Sequence, residues 1–365
     1  MTTTVLLTGY PSFAARHMLS RLLQEDHHVL LLVREKLLRR AKAHLDALGL
    51  SAEREQVEVL VGDVTDLDLG LSGPEILRVL SEVRLFYHMA EISYLGAARD
   101  VTWHVNVDGT RSALEVAAGM RDLRRFVFLS TAFVSGTRQG VIREDDLDVG
   151  QRFRNEFEHS KLAAERLCRA AMPVLPITVV RPSLVVGDTR TGAIDRTDGP
   201  YSLIQAMISL PLDLRLPLPG RGDHPLNMVP IDHVVDAIHA LANDPEAAGQ
   251  TFHLTDPNPL SARQVFEIVA ERAGRRAPRS TLAGVIAHAL LRVPGVERVS
   301  RATRQFIDQF DQLVIYNNAA SMRVLSRHGL VCPPFETYAH NLVEHVQRLA
   351  EDGMSGDGRR HGQRR

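Results

Sequence analysis

"TVLLTGYPSFAARHM", residues 4–18, sets an apolar run of strand length against a glycine turn and then a stretch of helical pattern. A strand that ends in a tight turn and feeds a helix opens a βαβ unit, because a parallel partner strand is reached only through a crossover of helical length. The partner follows as "HVLLLV" at 28–33, then a helical pattern over Glu35 to Leu48 and a third strand, "VEVLVGD", at 57–63. The alternation continues with a helix from about Pro74 to Val83, the strand "RLFYHMA" and a long helix over Trp103 to Met120. The strand "RFVFLST", a helix over Glu156 to Ala171 and the strand "ITVVRP" complete it. Such a pattern predicts an α/β fold with a mostly parallel, doubly wound sheet, whose ligands bind at the carboxyl ends of the strands.

After Pro182 the alternation weakens. Residues 187–225 are rich in Gly, Pro, Asp and Arg around one helical pattern, Tyr201 to Leu210, and read as inserted substrate-side structure. "HVVDAIHALAND" is a helix, "QTFHLTD" returns a strand to the main sheet, and the remainder to about residue 352 reads as mostly helical. The expected organisation is a core over 1–182, a substrate-binding region over 183–352 whose returning strand lies near 250–255, and a disordered, Gly-rich basic tail over 353–365.

Composition narrows the functional classes. A chain of 365 residues with 44% hydrophobic and 24% charged residues suits a large α/β unit. A formal net charge of -1 supplies no global field for nucleic acid or a membrane surface. Cys168 and Cys332 show no metal-ligand spacing, so no metal is expected and a reducing cytoplasm is the simplest location. Neither a signal peptide nor an apolar run of membrane-spanning length is visible.

The first turn is where a dinucleotide fold would hold a pyrophosphate, with backbone amides and the following helix N-terminus facing the negative charge. Of the spacing TGxxGxxG only Gly9 is present, with Ser12 and Ala15 at the other two positions, which reads as an altered and still usable site. At the end of the second strand Arg34 and Lys36 stand where an NAD binder would place a carboxylate, favouring a 2′-phosphate, although an exposed arginine after a strand is more often a solvated surface residue. Asp63 could accept from an adenine amino group or cap a helix.

In order and spacing, the first turn, "GDVTD", "FYHMAE", "NVDGT", "FLSTAFVSG", "FRNEFEHSKLAAE" at 153–165 and "VVRPSLVVGD" resemble the extended short-chain dehydrogenase/reductases. The likeness spans roughly residues 4–260 and is nearest to the branch with sugar-nucleotide epimerases, fatty acyl reductases and carrier-thioester reductases. The resemblance implies a Rossmann-type fold binding NADP(H) by preference, or NAD(H). Its cofactor residues would include Thr8, Gly9, Ser12, Phe13, Arg34, Asp63, Val64, Met89, Ala90, Lys161 and Pro182. It also implies a Ser or Thr after the fifth strand, here Thr131 with Ser130 beside it, and a Tyr–Lys pair four residues apart on the next helix. Residues i and i+4 share a helix face, so the lysine can lower the phenol's pKa while binding the nicotinamide ribose. Asn106 matches the family's Asn that helps hold a water near the lysine. Helices Trp103 to Met120 and Glu156 to Ala171 correspond to the family's dimer face, so a homodimer is expected.

Lys161 is in place, and Phe157 occupies the tyrosine position. A phenyl ring keeps the shape and loses the transferable proton, and acid–base catalysis contributes roughly 10²–10⁴ in rate. Three explanations compete: a deliberate Tyr-to-Phe variant, another group that supplies the proton, or a chain that has left hydride chemistry. His159 lies about 200° around the helix from Phe157 and should face away from the nicotinamide, and Glu158, about 100° off, is marginal. Tyr94, in the loop after the fourth strand, is the preferred substitute, with a pocket-wall role as its plain alternative. His88 reads as a core or cofactor contact, and Glu91 as a partner for Lys161 or an arginine. The set Arg190, Arg196, Arg215 and Arg221 could meet carrier or coenzyme phosphates or simply face solvent. Two readings stand: a reductase acting on a carbonyl of a small-molecule or carrier-bound substrate, acyl or thioester-derived, in biosynthesis; and a redox-inactive nucleotide-binding scaffold or non-redox enzyme.

Overall fold

The strand–helix alternation of the sequence is the element order of the computed structural model, which describes residues 2–50, 56–94, 96–195, 218–219, 222–277, 281–282 and 312–361. It begins β1 (Thr3–Thr8), α1 (Phe13–Leu22), β2 (His27–Val33), α2 (Leu38–Ala47) and β3 (Val57–Val61). Then come α3 (Gly73–Glu82), β4 (Val83–His88), α4 (Arg99–Trp103), a π-helical turn (His104–Asp108), α5 (Gly109–Gly119) and β5 (Arg125–Leu129). After β6 (Gly140–Ile142) follow α6 (Glu156–Ala171), β7 (Ile177–Pro182), β8 (Leu184–Val186), β9 (Leu218–Pro219), β10 (Met228–Pro230), α7 (Ile231–Asn243) and β11 (Gln250–Leu254). The chain continues through α8 (Ala262–Arg272), β12 (Thr281–Leu282), β13 (Val314–Tyr316), α9 (Ala319–Arg327) and α10 (Phe335–His361).

Seven strands make one sheet in the order β11-β7-β5-β4-β1-β2-β3, and every neighbouring pair is parallel. In β1 both faces are covered, so Val5, Leu6 and Leu7 are all fully buried in one unbroken apolar run. Leu6 packs into a core with Leu30, Phe86, Phe126 and Phe128, whereas Val5 and Leu7 join Leu31, Tyr87 and Val127 on the opposite side. The chain winds outward from β1 through β2 and β3, then returns to β4 on the other flank of β1. Strand order therefore reverses between β1 and β4, and the crevice for a ligand opens there.

The sequence and the structure part in several places. The helix expected over Trp103 to Met120 is α4, a π turn and α5, and the hydroxyl of Thr110 donates to the Asn106 carbonyl within the widened turn at 2.7 Å. The region past Pro182, read as mostly helical after the returning strand, also holds β13, which pairs with β6; a three-residue run whose partner is distant in sequence leaves no local period. The tail expected to be disordered from 353 is helical through His361. Phe335, Tyr338, Leu342 and Val346 bury one face earlier in α10, and each further residue of an established helix adds a hydrogen bond, which carries it into the glycine-rich segment. The helix read at Tyr201 to Leu210 and residues 362–365 lie outside the described residues.

Candidate active site

At the end of β1 the backbone of Gly9 has φ +86°, and a Cβ there would come within 2.4 Å of the Met89 carbonyl oxygen, so the turn requires glycine. The Thr8 hydroxyl accepts from the amides of Met89 and Ala90 at 3.2 and 3.3 Å, pinning the ends of β1 and β4 together. His88 is buried between Thr8 Oγ1, 3.0 Å from Nδ1, and Thr110 Oγ1, 3.2 Å from Nε2. Burial and then the Lys161 charge push the His88 pKa down to about 3, so the ring is neutral. Thr110 spends its proton on Asn106 and must accept from Nε2, which leaves Nδ1 to accept from Thr8.

Ser12, at the second glycine position, caps α1: its Oγ accepts from the Ala15 amide at 3.4 Å. Ala15 is fully buried, keeping the close packing that a third glycine would give. In front of this turn lies an open cleft lined by Gly9, Ser12, Arg34, Asp63, Val64 and Ala90 of the predicted cofactor residues, together with Glu91 and Arg40. Thr8 and Met89 lie buried beneath it, Phe13 packs edge-on against His17, and Lys161 and Pro182 stand towards β5 and β7, outside its lining. Asp63 Oδ1 accepts from Thr65 N and Oγ1 at 3.1 and 3.0 Å, so the local turn role and the cleft position coexist. Arg40 was not singled out from sequence; the basic pair Arg39–Arg40 in the first turn of α2 was the available signal. Arg40 pairs with Asp195 at 3.1 Å.

Asn155 starts α6 as its cap, accepting from Glu158 N at 2.9 Å, and thereby sets the phase of the helix. Phe157 is half-buried, and one turn later Lys161 is 2% exposed. The Lys161 ammonium donates to the Leu129 carbonyl, lies 4.5 Å from the centre of the Phe128 ring and stands 3.0 Å from Glu91 Oε2. That last contact is an ion pair by distance and is not aligned as a hydrogen bond. Thr131, two residues beyond Leu129, is buried; its Oγ1 donates to the Pro182 carbonyl at 3.5 Å and accepts from Phe133 N at 3.3 Å. Ser130 is held elsewhere, its hydroxyl donating to Glu165 Oε2 at 2.6 Å. Asn106 clamps the loop after β4 to α6. Its Oδ1 accepts from Ile92 N at 2.7 Å, and its Nδ2 donates to Ile92 O at 3.2 Å and Ser160 Oγ at 2.9 Å.

His159 stacks on Phe153 with centroids 4.8 Å apart and meets Trp103 edge-on. Glu158 is buried against Arg154 at 2.8 Å, and burial, outweighing that partner, raises its pKa. Tyr94 is 48% exposed, with its ring against Gly96. Arg190 is exposed, 3.9 Å from Asp188, while Arg196, Arg215 and Arg221 lie outside the described residues. Among the described residues one histidine–carboxylate cluster, Glu25, His27 and His239, sits at the amino end of β2, away from the cleft; both imidazole Nε2 atoms meet Glu25 Oε2, at 3.1 and 3.3 Å.

A parallel sheet with its crevice between β1 and β4, a glycine turn there, a buried Thr after β5 and a buried Lys on the next helix mark an extended short-chain dehydrogenase/reductase. Over residues 7–238 the sequence matches the family described as Male sterility protein, and the chain belongs to that family. Relatives include glycine betaine reductase ATRR of Emericella nidulans, 28% identical over 286 residues, covering 72% of this chain and 22% of that protein. Fatty acyl-CoA reductase wat of Drosophila melanogaster is 26% identical, covering 66% and 54%. The carboxylic acid reductase of Segniliparus rugosus is 27% identical, covering 70% and 24%. The matched part is thus about a fifth to a half of these relatives' lengths. In fold, the chain is similar to the terminal R domain of the myxalamid PKS-NRPS pathway, with TM-score 0.80, 24% identity, and 97% of this chain and 92% of that one covered. A thiolation-reductase di-domain of an archaeal non-ribosomal peptide synthetase gives TM-score 0.72 at 18% identity, covering 96% and 76%. Among the described residues no helix is long and apolar enough to cross a membrane.

Proposed function

We propose that this protein is an NADPH-dependent reductase of a carbonyl in an acyl thioester or the aldehyde derived from it, presented on a carrier or as a small molecule. The observation that carries this reading is the placement of Lys161. It is buried one turn after position 157, bound to the carbonyl two residues before Thr131 and paired with Glu91 of the cleft wall. A redox-inactive scaffold has no evident use for a charge held at that cost of desolvation.

The cleft fits a dinucleotide: the Gly9 turn leaves room that a Cβ would close, and the start of α1 faces the place of the pyrophosphate. Arg34 and Arg40 in the same wall suit a 2′-phosphate through charge-assisted hydrogen bonds. When bound, the nicotinamide supplies a hydride to the carbonyl carbon. Thr131 then donates a hydrogen bond to the carbonyl oxygen, exchanging its long contact to Pro182, and Lys161 supplies the proton that Phe157 cannot. Half-exposed Tyr94 forms the outer wall of the substrate pocket on this reading. With a thioester, the C–S bond breaks after addition to leave an aldehyde and a thiol. The relatives named as acting on betaine, acyl-CoA and carboxylic acids support the substrate class.

Phe157 itself favours the scaffold as a second reading. Calorimetric titration with NADPH and NADH, followed by NADPH consumption with octanoyl-pantetheine and with octanal, separates the two. Binding with turnover supports the reductase; binding with no turnover of either probe leaves the scaffold.

A further inference from the structure

A lysine that gives away a proton inside a protein must recover one from water. Lys161, at 2% exposure, has no direct route to solvent. Three kinds of contact surround its ammonium: the Leu129 carbonyl, the Phe128 ring and the Glu91 carboxylate. The carbonyl and the ring carry no exchangeable proton. The Lys161 charge also acts on His88 of β4 and Cys168 of α6, both buried. Burial, with a smaller contribution from Lys161, keeps His88 neutral down to about 3, and burial holds the Cys168 thiol well above its usual range. Neither cycles at neutral pH. The Asn106 amide, where a water for the lysine was expected, is committed to Ile92 and Ser160.

Glu91 differs from all of these. Its side chain is 19% exposed and lines the cofactor cleft, while its Oε2 is sealed from solvent 3.0 Å from Lys161 Nζ with no aligned hydrogen bond, so the carboxyl group spans from the cleft to the buried ammonium. We propose that Glu91 is the proton-relay partner of Lys161, joining the buried ammonium to water and making a Lys–Glu couple serve where Phe157 has removed the phenol. This rests on the reductase reading above. As hydride reaches the carbonyl carbon, the carbonyl π pair takes a proton from Lys161: an O–H bond forms and an N–H bond breaks. The Glu91 carboxylate then takes a proton from solvent and passes it to the neutral amine, which restores the ammonium–carboxylate pair. Glu91 acts through Lys161 and is a positioning and relay residue.

The test uses the whole chain, NADPH and octanal, with Glu91→Gln and Glu91→Ala. Glu91→Gln keeps shape and loses the carboxylate that takes up a proton and passes it on. It should still bind NADPH by calorimetry and melt as wild type does, while kcat falls about tenfold or more and the solvent deuterium isotope effect on kcat rises. Formate should restore turnover to Glu91→Ala and leave Glu91→Gln, whose amide fills the space, unrescued. A structural role for Glu91 would move stability or KM and would show no rescue by formate. Wild-type kcat in Glu91→Gln, or a Glu91→Ala defect that formate does not relieve, overturns the relay while the reductase reading stands. Wild-type protein that turns over no octanal overturns the reductase reading, and the relay falls with it.

Discussion

The Ser130 hydroxyl donates to Glu165 Oε2 at 2.6 Å, so of two adjacent hydroxyl residues after β5 one is tied to the interior of α6 and Thr131 alone remains at the Pro182 loop. Glu165 is fully buried and also meets Arg181 Nη2 at 2.7 Å and Arg169 Nε at 3.1 Å. Burial pushes its carboxyl up, but Arg181 and the surrounding hydrogen bonds more than reverse this and hold its pKa below the ordinary value. This buried network fixes the strand end that carries Thr131 against the helix that carries Lys161.

Breaking that network should be costly. Glu165→Ala strands the fully buried Arg181 guanidinium, and removal of one partner of a buried pair costs about 3–5 kcal/mol. Urea unfolding of the variant should show an unfolding free energy lower by that amount with an unchanged m-value. A loss under about 1 kcal/mol would mean that water relaxes around Arg181.

Lys161→Ala should abolish turnover of octanal. Phe157→Tyr restores a phenol one helical turn from the ammonium and should leave kcat intact or raise it. Tyr94→Phe should cost less than the roughly 10²–10⁴ expected of a general acid. Turnover that survives Lys161→Ala would remove the lysine from the chemistry, and a large Tyr94→Phe defect would return the acid role to Tyr94.

On the proposed reading, Arg34 and Arg40 carry a preference for NADPH over NADH. Arg34→Ala should weaken NADPH about 10- to 100-fold, the range of one charge-assisted hydrogen bond, and leave NADH affinity nearly unchanged. Parallel titrations read this directly; equal losses for both nucleotides would assign Arg34 a general packing role.

Gly9→Ala introduces a methyl 2.4 Å from the Met89 carbonyl at a positive φ. The backbone penalty alone is roughly 1–3 kcal/mol, so the melting temperature should fall and NADPH binding should be lost. A variant that binds NADPH normally would show that β1 and β4 can part at this turn.

Acid should weaken the fold before its carboxylates titrate. Burial is the first cause that lowers His88 and His253 to about 3 and His239 to about 4, from an ordinary 6.5. As pH falls, the unfolded chain takes up these protons first. The associated stability is therefore complete above about 6.5 and is lost as pH drops through about 4 towards 3. Calorimetric scans should give a melting temperature that declines steadily below about pH 6.5; a flat profile from pH 8 to 5 would contradict this.

The sequence determined the central sheet, because parallel strands buried on both faces must be apolar throughout and their crossover helices must carry a period of 3.6; both signals are local. It also placed Gly9, Thr131, Phe157 and Lys161, whose spacings are set within single turns and elements. Tertiary structure decided the partners. Glu91 and Lys161 are 70 positions apart and meet only because β4 and β5 are neighbours in the sheet. The structure thereby chose Lys161 over an arginine as the partner of Glu91, and separation along the chain hid Arg40 in the cleft, the pairing of β6 with β13, and the division of labour between Ser130 and Thr131. Charge, hydrogen-bond geometry and burial act through space, so which residue proves to be wall, relay or structural tie depends on neighbours that only the folded chain supplies.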